Sequence, residues 1–337
     1  MNRGLPIRSL FALLACLTPA SALAISEQDY LLHFEREVTP YLAAHGKFGT
    51  LAGKGGVPIA TLSIETERVP KIGDILFVLG KSDSFLSSQE LIYDLVQLGY
   101  SVHTYDHRSQ GLSGRTSSNP RMVHVESFDD YVEDLHTFAR SIFDSPLGHE
   151  GKRFLLSHSM GGAVSALYLG KYQPQFDQAV YLAPMGKPRS TRLANTLAKL
   201  ACSFGLCESY VLGGEAQPTH QSAAEDGDTS SEPRQQARNR ILNENSTLQS
   251  GSVSWGWLRQ AFKAAQQIVR LAPENRIPSL IIQAGEDHRV DLSAQNHLAK
   301  LAPQCTLCKI PGSRHDIGLE RDHYRNQMLA HIRRVFR

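Results

Sequence analysis

The sequence predicts a mainly parallel β-sheet flanked by helices, with a helical insertion between two of its later strands. Short apolar runs such as 74–80 and 279–284 read as strands buried on both faces. Segments with helical spacing of apolar residues alternate with them along most of the chain, which is the pattern of helices covering a parallel sheet. That alternation breaks between about 187 and 276 and then resumes. At 337 residues, with 41% hydrophobic and 20% charged, the chain can form one large domain carrying such an insertion.

At the N-terminus, Arg3 and Arg8 precede the apolar run 10–17, and Ala22-Leu23-Ala24 offers a small-residue cleavage site. Residues 1–24 therefore read as a secretory signal peptide, removed after Ala24 to give an exported, periplasmic or secreted protein. The run falls well short of the roughly 20 residues that span a bilayer. Leu13-Leu14-Ala15-Cys16 also resembles a lipobox, so the alternative is a lipoprotein anchored through Cys16. The formal charge is +2, and both Arg3 and Arg8 leave with the signal, so the mature chain is neutral and nothing electrostatic points to nucleic acid.

The mature chain should begin with a helix over 27–44, followed by strands at 60–64, 74–80 and 101–106, with a helix over 89–98 between the last two. A helix over 128–143, a strand at 153–156, a helix over 160–169 and a strand at 178–183 continue the alternation. After the insertion come a strand at 279–284, a helix over 292–301, a strand at 305–310 and a last helix over 321–336. Residues 25–186 and 277–337 thus form the core, and 187–276 form a cap over the C-terminal edge of the sheet, where open α/β sheets bind ligands. Helical spacing marks 191–204 and 253–271 within the cap. Between them, 213–240 is rich in Gln, Ser, Glu, Asp, Gly and Arg, and is expected to be mobile.

Four cysteines remain after Cys16 leaves, an even number that suggests disulfide bonding in an exported protein. Cys202 and Cys207 close a small loop and are the first expected pair. Cys305 and Cys308 lie in a predicted strand, where positions three apart point to opposite faces. A zinc site made of all four thiolates is the alternative that these spacings disfavour.

The residues that carry chemistry begin at Leu155-Leu156-Ser157-His158-Ser159-Met160-Gly161-Gly162, a strand running into a tight turn and a small-residue helix. Such a nucleophile elbow holds a serine hydroxyl proud of the sheet, and Ser159 occupies that position. Ser157 stands where the GxSxG pattern has its first glycine, a mild departure with room for crowding at the turn. Serine needs a histidine to take its proton, and that histidine needs a carboxylate to hold it. In this arrangement the chain order is Ser, Asp or Glu, then His. Asp287 lies directly after the strand at 279–284 and His315 directly after the strand at 305–310, with Glu286 and Asp291 as nearby competitors for the acid. His158 reads as packing, and His107 and His288 as structural or rim residues. Backbone N–H groups of Met160 and of Lys81, which follows the strand at 74–80, are the expected oxyanion donors.

Together these stretches resemble an α/β-hydrolase of the lysophospholipase and monoacylglycerol lipase branch, sometimes grouped with serine aminopeptidases. The resemblance rests on 105–115, the 157–162 elbow, Leu182-Ala183-Pro184-Met185, Ser254-Trp255-Gly256-Trp257-Leu258, 285–290 and 312–316, nearly the whole core. It implies the α/β-hydrolase fold with an inserted cap and a serine hydrolase of single-acyl lipid esters, most readily lysophospholipids. No metal or organic cofactor is implied, and partners are limited to the lipid substrate and peripheral contact with a membrane. Asp106 and Arg108 are expected to pin a loop, and Trp255 and Trp257 either line an acyl tunnel or anchor the cap. A monoacylglycerol lipase or general carboxylesterase is the alternative within the class. A non-catalytic binding protein that keeps the fold is the alternative outside it.

Overall fold

The computed structural model describes residues 25–144, 151–191, 193–214, 223 and 227–337; the expected signal peptide and Cys16 lie outside them. Among the described residues the chain opens with helices α1 (Tyr30–His33) and α2 (Thr39–His45), joined by a π-helical turn at Phe34–Val38. Strands β1 (Lys47–Ala52), β2 (Pro58–Ile64) and β3 (Gly73–Val78) follow, then α3 (Gln89–Gln97), β4 (Tyr100–Tyr105) and α4 (Phe128–Phe143). Next come β5 (Arg153–His158), α5 (Met160–Tyr172) and β6 (Gln178–Leu182). The inserted helices are α6 (Ala194–Ser203), α7 (Glu232–Glu244) and α8 (Trp255–Leu271). The chain closes with β7 (Ser279–Ala284), α9 (Leu292–Leu301), β8 (Cys305–Ile310) and α10 (Asp322–Val335).

The strands form one sheet in the order β1-β2-β4-β3-β5-β6-β7-β8. Every pairing from β4 to β8 is parallel, and β2 pairs antiparallel with both β1 and β4. All six residues of β3 and of β7 are buried, as their continuous apolar character predicts. Alternate side chains feed two cores. Leu76, Val78 and Leu155 pack with α4, α5 and α8, whereas Ile75, Phe77 and Leu156 pack with α3 and α10. Strand β1 is absent from the sequence reading: a central Gly49 and a mostly exposed edge position leave its sequence with little alternation to detect.

The insertion sits where expected, between β6 and β7, and α8 packs across α5 and α6. Segment 213–240 needs correction. Residues 215–222 and 224–226 lie outside the described residues, but 232–240 belongs to a helix, and Arg234 within it is fully buried. Its guanidinium donates to both Glu90 carboxylate oxygens at 3.0 and 3.1 Å, to Asp322 at 2.8 Å and to the carbonyls of Glu320 and Ile25, and it lies 4.9 Å from the Tyr30 ring centroid. A composition that reads as solvated is instead consumed in buried ion pairs. Cys202 and Cys207 form the expected disulfide, while Cys305 and Cys308 form none among the described residues and pack into the opposite cores of the sheet.

Candidate active site

The elbow forms at the end of β5, at the centre of the sheet. Ser159 has φ 49° and ψ −117°, a conformation that a non-glycine residue adopts only under surrounding constraint. Three hydrogen bonds supply it: Ser159 N–H donates to Leu182 O at 3.0 Å, and its carbonyl accepts from Gly162 N–H at 2.9 Å and Met185 N–H at 2.8 Å. The glycine this turn requires is Gly161, where a β-carbon would lie 2.3 Å from the carbonyl oxygens of Val78 and Leu79. Ser157, by contrast, sits in regular strand paired with Val78 and Tyr181, so its β-carbon fits without the crowding anticipated from the sequence. Its hydroxyl is buried with no hydrogen-bond partner among the described residues.

Ser159 Oγ–H donates to His315 Nε2 at 2.8 Å, and His315 Nδ1–H donates to Asp287 Oδ2 at 2.7 Å. The other Asp287 oxygen accepts from the N–H groups of Arg289 at 2.8 Å and Val290 at 3.1 Å. Burial works to raise the Asp287 carboxyl, but His315 and then these N–H groups hold it below the usual carboxylate range. Glu286 is exposed, and Asp291 caps α9 through Ser293 and Ala294 N–H, so neither competes for the role. The three residues follow β5, β7 and β8, which brings their loops to one edge of the sheet.

Ser159 opens into a cavity of about 670 Å³ beneath the inserted helices, lined also by Lys81, Met160 and His315. Part of its lining is apolar, from Met160, Met185, Leu242, Leu248, Val253 and Leu258. Another part is charged, with Lys81, Arg238 and Arg289 facing Asp83, Asp228 and Asp316. Of the two tryptophans, Trp257 lines the cavity while packing 5.7 Å from the Phe128 ring. Trp255 is half-buried and is not among the described residues that line this cavity.

Asp106 and Arg108 pin backbone as expected. Buried Asp106 accepts from Phe85 N–H, Leu112 N–H and the Ser84 hydroxyl, and Arg108 grips Asp134 with two bonds of 2.7 Å while reaching Lys54 O. His107 is also structural: its Nε2–H donates to Leu79 O, and burial lowers its pKa to about 4. His158 departs from the expected packing role. It lies between Asp83 and Asp316, with Arg238 bound to both carboxylates, a charged cluster beside His315. His158 adjoins Ser159, Asp316 adjoins His315 and Asp83 lies two residues from Lys81, so nearness in sequence was the signal that could have found them. Arg238, in a segment read as mobile, carried none.

A strained serine at a strand-to-helix turn, a histidine on its hydroxyl and a buried carboxylate on that histidine define a serine-hydrolase arrangement on an α/β-hydrolase fold. Residues 70–322 match the family model described as serine aminopeptidase S33 (Hydrolase_4), and the chain belongs to that family. It is 28% identical to lysophospholipase L2 of Escherichia coli K12 over 291 residues, covering 83% of this chain and 84% of that protein. It is 26% identical to monoglyceride lipase of Rattus norvegicus over 248 residues, 72% of this chain and 75% of that protein. Among solved structures, a soluble variant of monoglyceride lipase from Saccharomyces cerevisiae superposes with a TM-score of 0.67 at 17% identity, covering 86% and 93% of the two chains. That likeness confirms the fold.

Proposed function

We propose that this protein is a serine carboxylic-ester hydrolase acting on single-acyl lipids, with lysophospholipids as its preferred substrates. The carrying observation is the cavity at Ser159, apolar along one set of residues and charged along another, which suits one acyl chain and a polar head group. His315 takes the Ser159 proton as the hydroxyl attacks the ester carbonyl, and the N–H groups of Met160 and Lys81 receive the oxyanion. The alcohol leaves with the proton from His315, and water activated by the same histidine then hydrolyses the acyl-enzyme. A second lipid hydroxyl in place of water gives transacylation.

A phosphate-bearing head group is favoured over a neutral one by the charge of the lining. Asp83 and Asp316 are bound to Arg238, and Asp228 to Arg289. The Lys81 ammonium hydrogen-bonds to the Ser82 hydroxyl at 3.0 Å and forms no ion pair among the described residues, which makes it a cation available to an anionic ligand. The same pairing of the wall carboxylates argues against a site for the free amino group of a peptide. The names of the relatives support both the lysophospholipid and monoacylglycerol readings. Hydrolysis of lysophosphatidylethanolamine, monoacylglycerol and a short nitrophenyl ester by wild type, beside Ser159→Ala, tests the proposal. Wild type should prefer the lysophospholipid, and Ser159→Ala should lose at least about 1,000-fold on all three. Undiminished activity of Ser159→Ala would refute the mechanism. Failure of a fluorophosphonate to label folded protein at Ser159 would favour a non-catalytic binding protein.

Peripheral membrane contact through α6 is a further part of the proposal. Leu193, Leu197, Leu200 and Phe204 recur at helical spacing and are 40–75% exposed. Residues 187–207 contain Lys187, Arg189, Arg192 and Lys199 and no acid. An exposed apolar stripe with basic flanks suits an anionic lipid surface. Export is proposed from the sequence of residues 1–24, and the Cys202–Cys207 disulfide is what an oxidising compartment would permit. Mass spectrometry of the mature protein should find Ile25 at the N-terminus; a lipidated Cys16 there would establish the anchored alternative.

A further inference from the structure

Four charged side chains crowd against the Ser159–His315 pair without belonging to it. His158 immediately precedes Ser159, and its ring centroid lies 5.1 Å from that of His315. Its Nδ1–H donates to Asp83 Oδ2 at 3.3 Å, and its Nε2–H donates to the backbone carbonyl of His315 at 3.3 Å, with Asp316 Oδ1 at 3.4 Å. Arg238, on α7 of the insertion, spans the two carboxylates, donating to Asp83 Oδ1 at 3.0 Å and to Asp316 Oδ2 at 2.7 Å. Asp83 Oδ2 also accepts the Gly80 N–H at 3.2 Å and so folds the loop that carries Lys81. A β-carbon at Gly80 would lie 2.8 Å from His158 Nδ1, so the approach of these loops depends on that glycine.

Accordingly, the cluster touches three of the four loops that carry the site: the loop after β3, the elbow after β5 and the loop after β8. We propose that His158 and Arg238 form a cationic clamp of positioning residues, which holds Asp83 and Asp316 and thereby sets the oxyanion loop and the His315 loop in register with Ser159. Because Arg238 belongs to α7, turnover then depends on the seating of the cap. The inference rests on the serine-hydrolase reading above and goes beyond it.

The electrostatics agree with the geometry. Both His158 ring nitrogens face acceptors, which only the imidazolium can satisfy. Although burial works against that charge, Asp316 and Asp83 carry the His158 pKa up to about 9. Burial likewise works to raise Asp83, but His158 and Arg238 bring it down to about 2. Asp316 is itself raised by burial, against the pull of Arg238 and His158, and the remaining titratable neighbours are His315, Lys81, His107, kept neutral by burial, and Asp228, which is bound to Arg289. Ligand atoms of Asp83, His158 and Asp316 lie close enough together for a metal ion, but the guanidinium and the doubly donating imidazole already engage them.

The test compares a short nitrophenyl ester, which leaves most of the cavity unfilled, with lysophosphatidylethanolamine. Arg238→Gln should lower kcat about 10- to 100-fold on both substrates by similar factors, with partial recovery in Arg238→Lys. The wild-type kcat should hold at neutral pH and fall as pH rises through about 9, where His158 loses its proton. In His158→Gln that alkaline limb should be gone and the rate uniformly low. A wild-type kcat for Arg238→Gln on the short ester, with only the lipid KM raised, would make Arg238 a substrate contact and overturn the clamp. So would a wild-type profile with no loss near pH 9, a measurement that needs no variant to fold. A wild type that neither hydrolyses esters nor reacts with a fluorophosphonate would overturn the hydrolase reading itself, and the clamp with it.

Discussion

Two helices of the same insertion treat hydrophobicity in opposite ways. Helix α6 carries leucines and buries only Ala198, leaving Leu197 and Leu200 at 40% and 52% exposure. Helix α7 is mostly polar and charged, yet it buries Arg234 and Gln235 as well as Ala237, which packs with Tyr30, Phe34 and Val38. What seats α7 is a set of charged partners drawn from α3, α10 and the active-site loops, whereas α6 is held by α8 and by one disulfide at its end. Burial here follows the availability of partners for each group rather than apolar content, because a buried guanidinium is tolerable only when its donors and charge are met.

The comparison breaks most readily at Arg234. Arg234→Met leaves Glu90 with one fewer cation in a dry site and should cost about 3–5 kcal/mol of stability in a denaturant titration. A cost below about 1 kcal/mol would mean that apolar packing, not charge, seats α7. A smaller effect is expected at the other helix. Replacing both Cys202 and Cys207 by Ser removes a short loop constraint worth about 2 kcal/mol, and the loss should appear as faster amide exchange over α6 with α7 unchanged.

Acid should separate the two helices in the reverse sense. Asp83 has a folded-state pKa of about 2 against an ordinary 3.8, so its contribution is fully present above about pH 4 and disappears as pH falls through about 2. Amide exchange over α7 should accelerate across that window while α6 is unaffected. The smallest stability effect belongs to Leu197→Ser with Leu200→Ser, within about 0.5 kcal/mol of wild type, because both side chains already face solvent. The same variant should lose binding to anionic phospholipid vesicles; retained binding would move the proposed membrane contact elsewhere.

Much of the core was legible because period and order survive in the sequence. Strands buried on both faces leave apolar runs, and a serine, a carboxylate and a histidine that each follow a strand leave a recognisable spacing, which is how the hydrogen-bonded set Ser159, Asp287 and His315 is legible in the sequence. Strand β1 escaped because an exposed edge strand with a central glycine has no face to advertise. Helix α7 escaped for a different reason. Its binding energy lies in partners more than 80 positions away, at Glu90, Asp322 and Asp83, and composition averaged over a window cannot register a long-range ion pair. His158 was misjudged on the same account, since a histidine beside a nucleophile reads as packing until the two aspartates around it are known. Trp255 and Trp257 show the limit of motif reading: two residues apart in one helix, they point to different faces, and of the two only Trp257 is among the described residues lining the cavity.

Ser159 and His315 are 156 positions apart, and His315 arrives in the loop after the last strand of the sheet. A chain emerging from the ribosome therefore carries Ser159 long before His315, and their hydrogen bond cannot form until β8 and the loop after it are in place. Completion of the chain is thus the event that brings the two side chains together, and a partly made chain cannot hold the full arrangement.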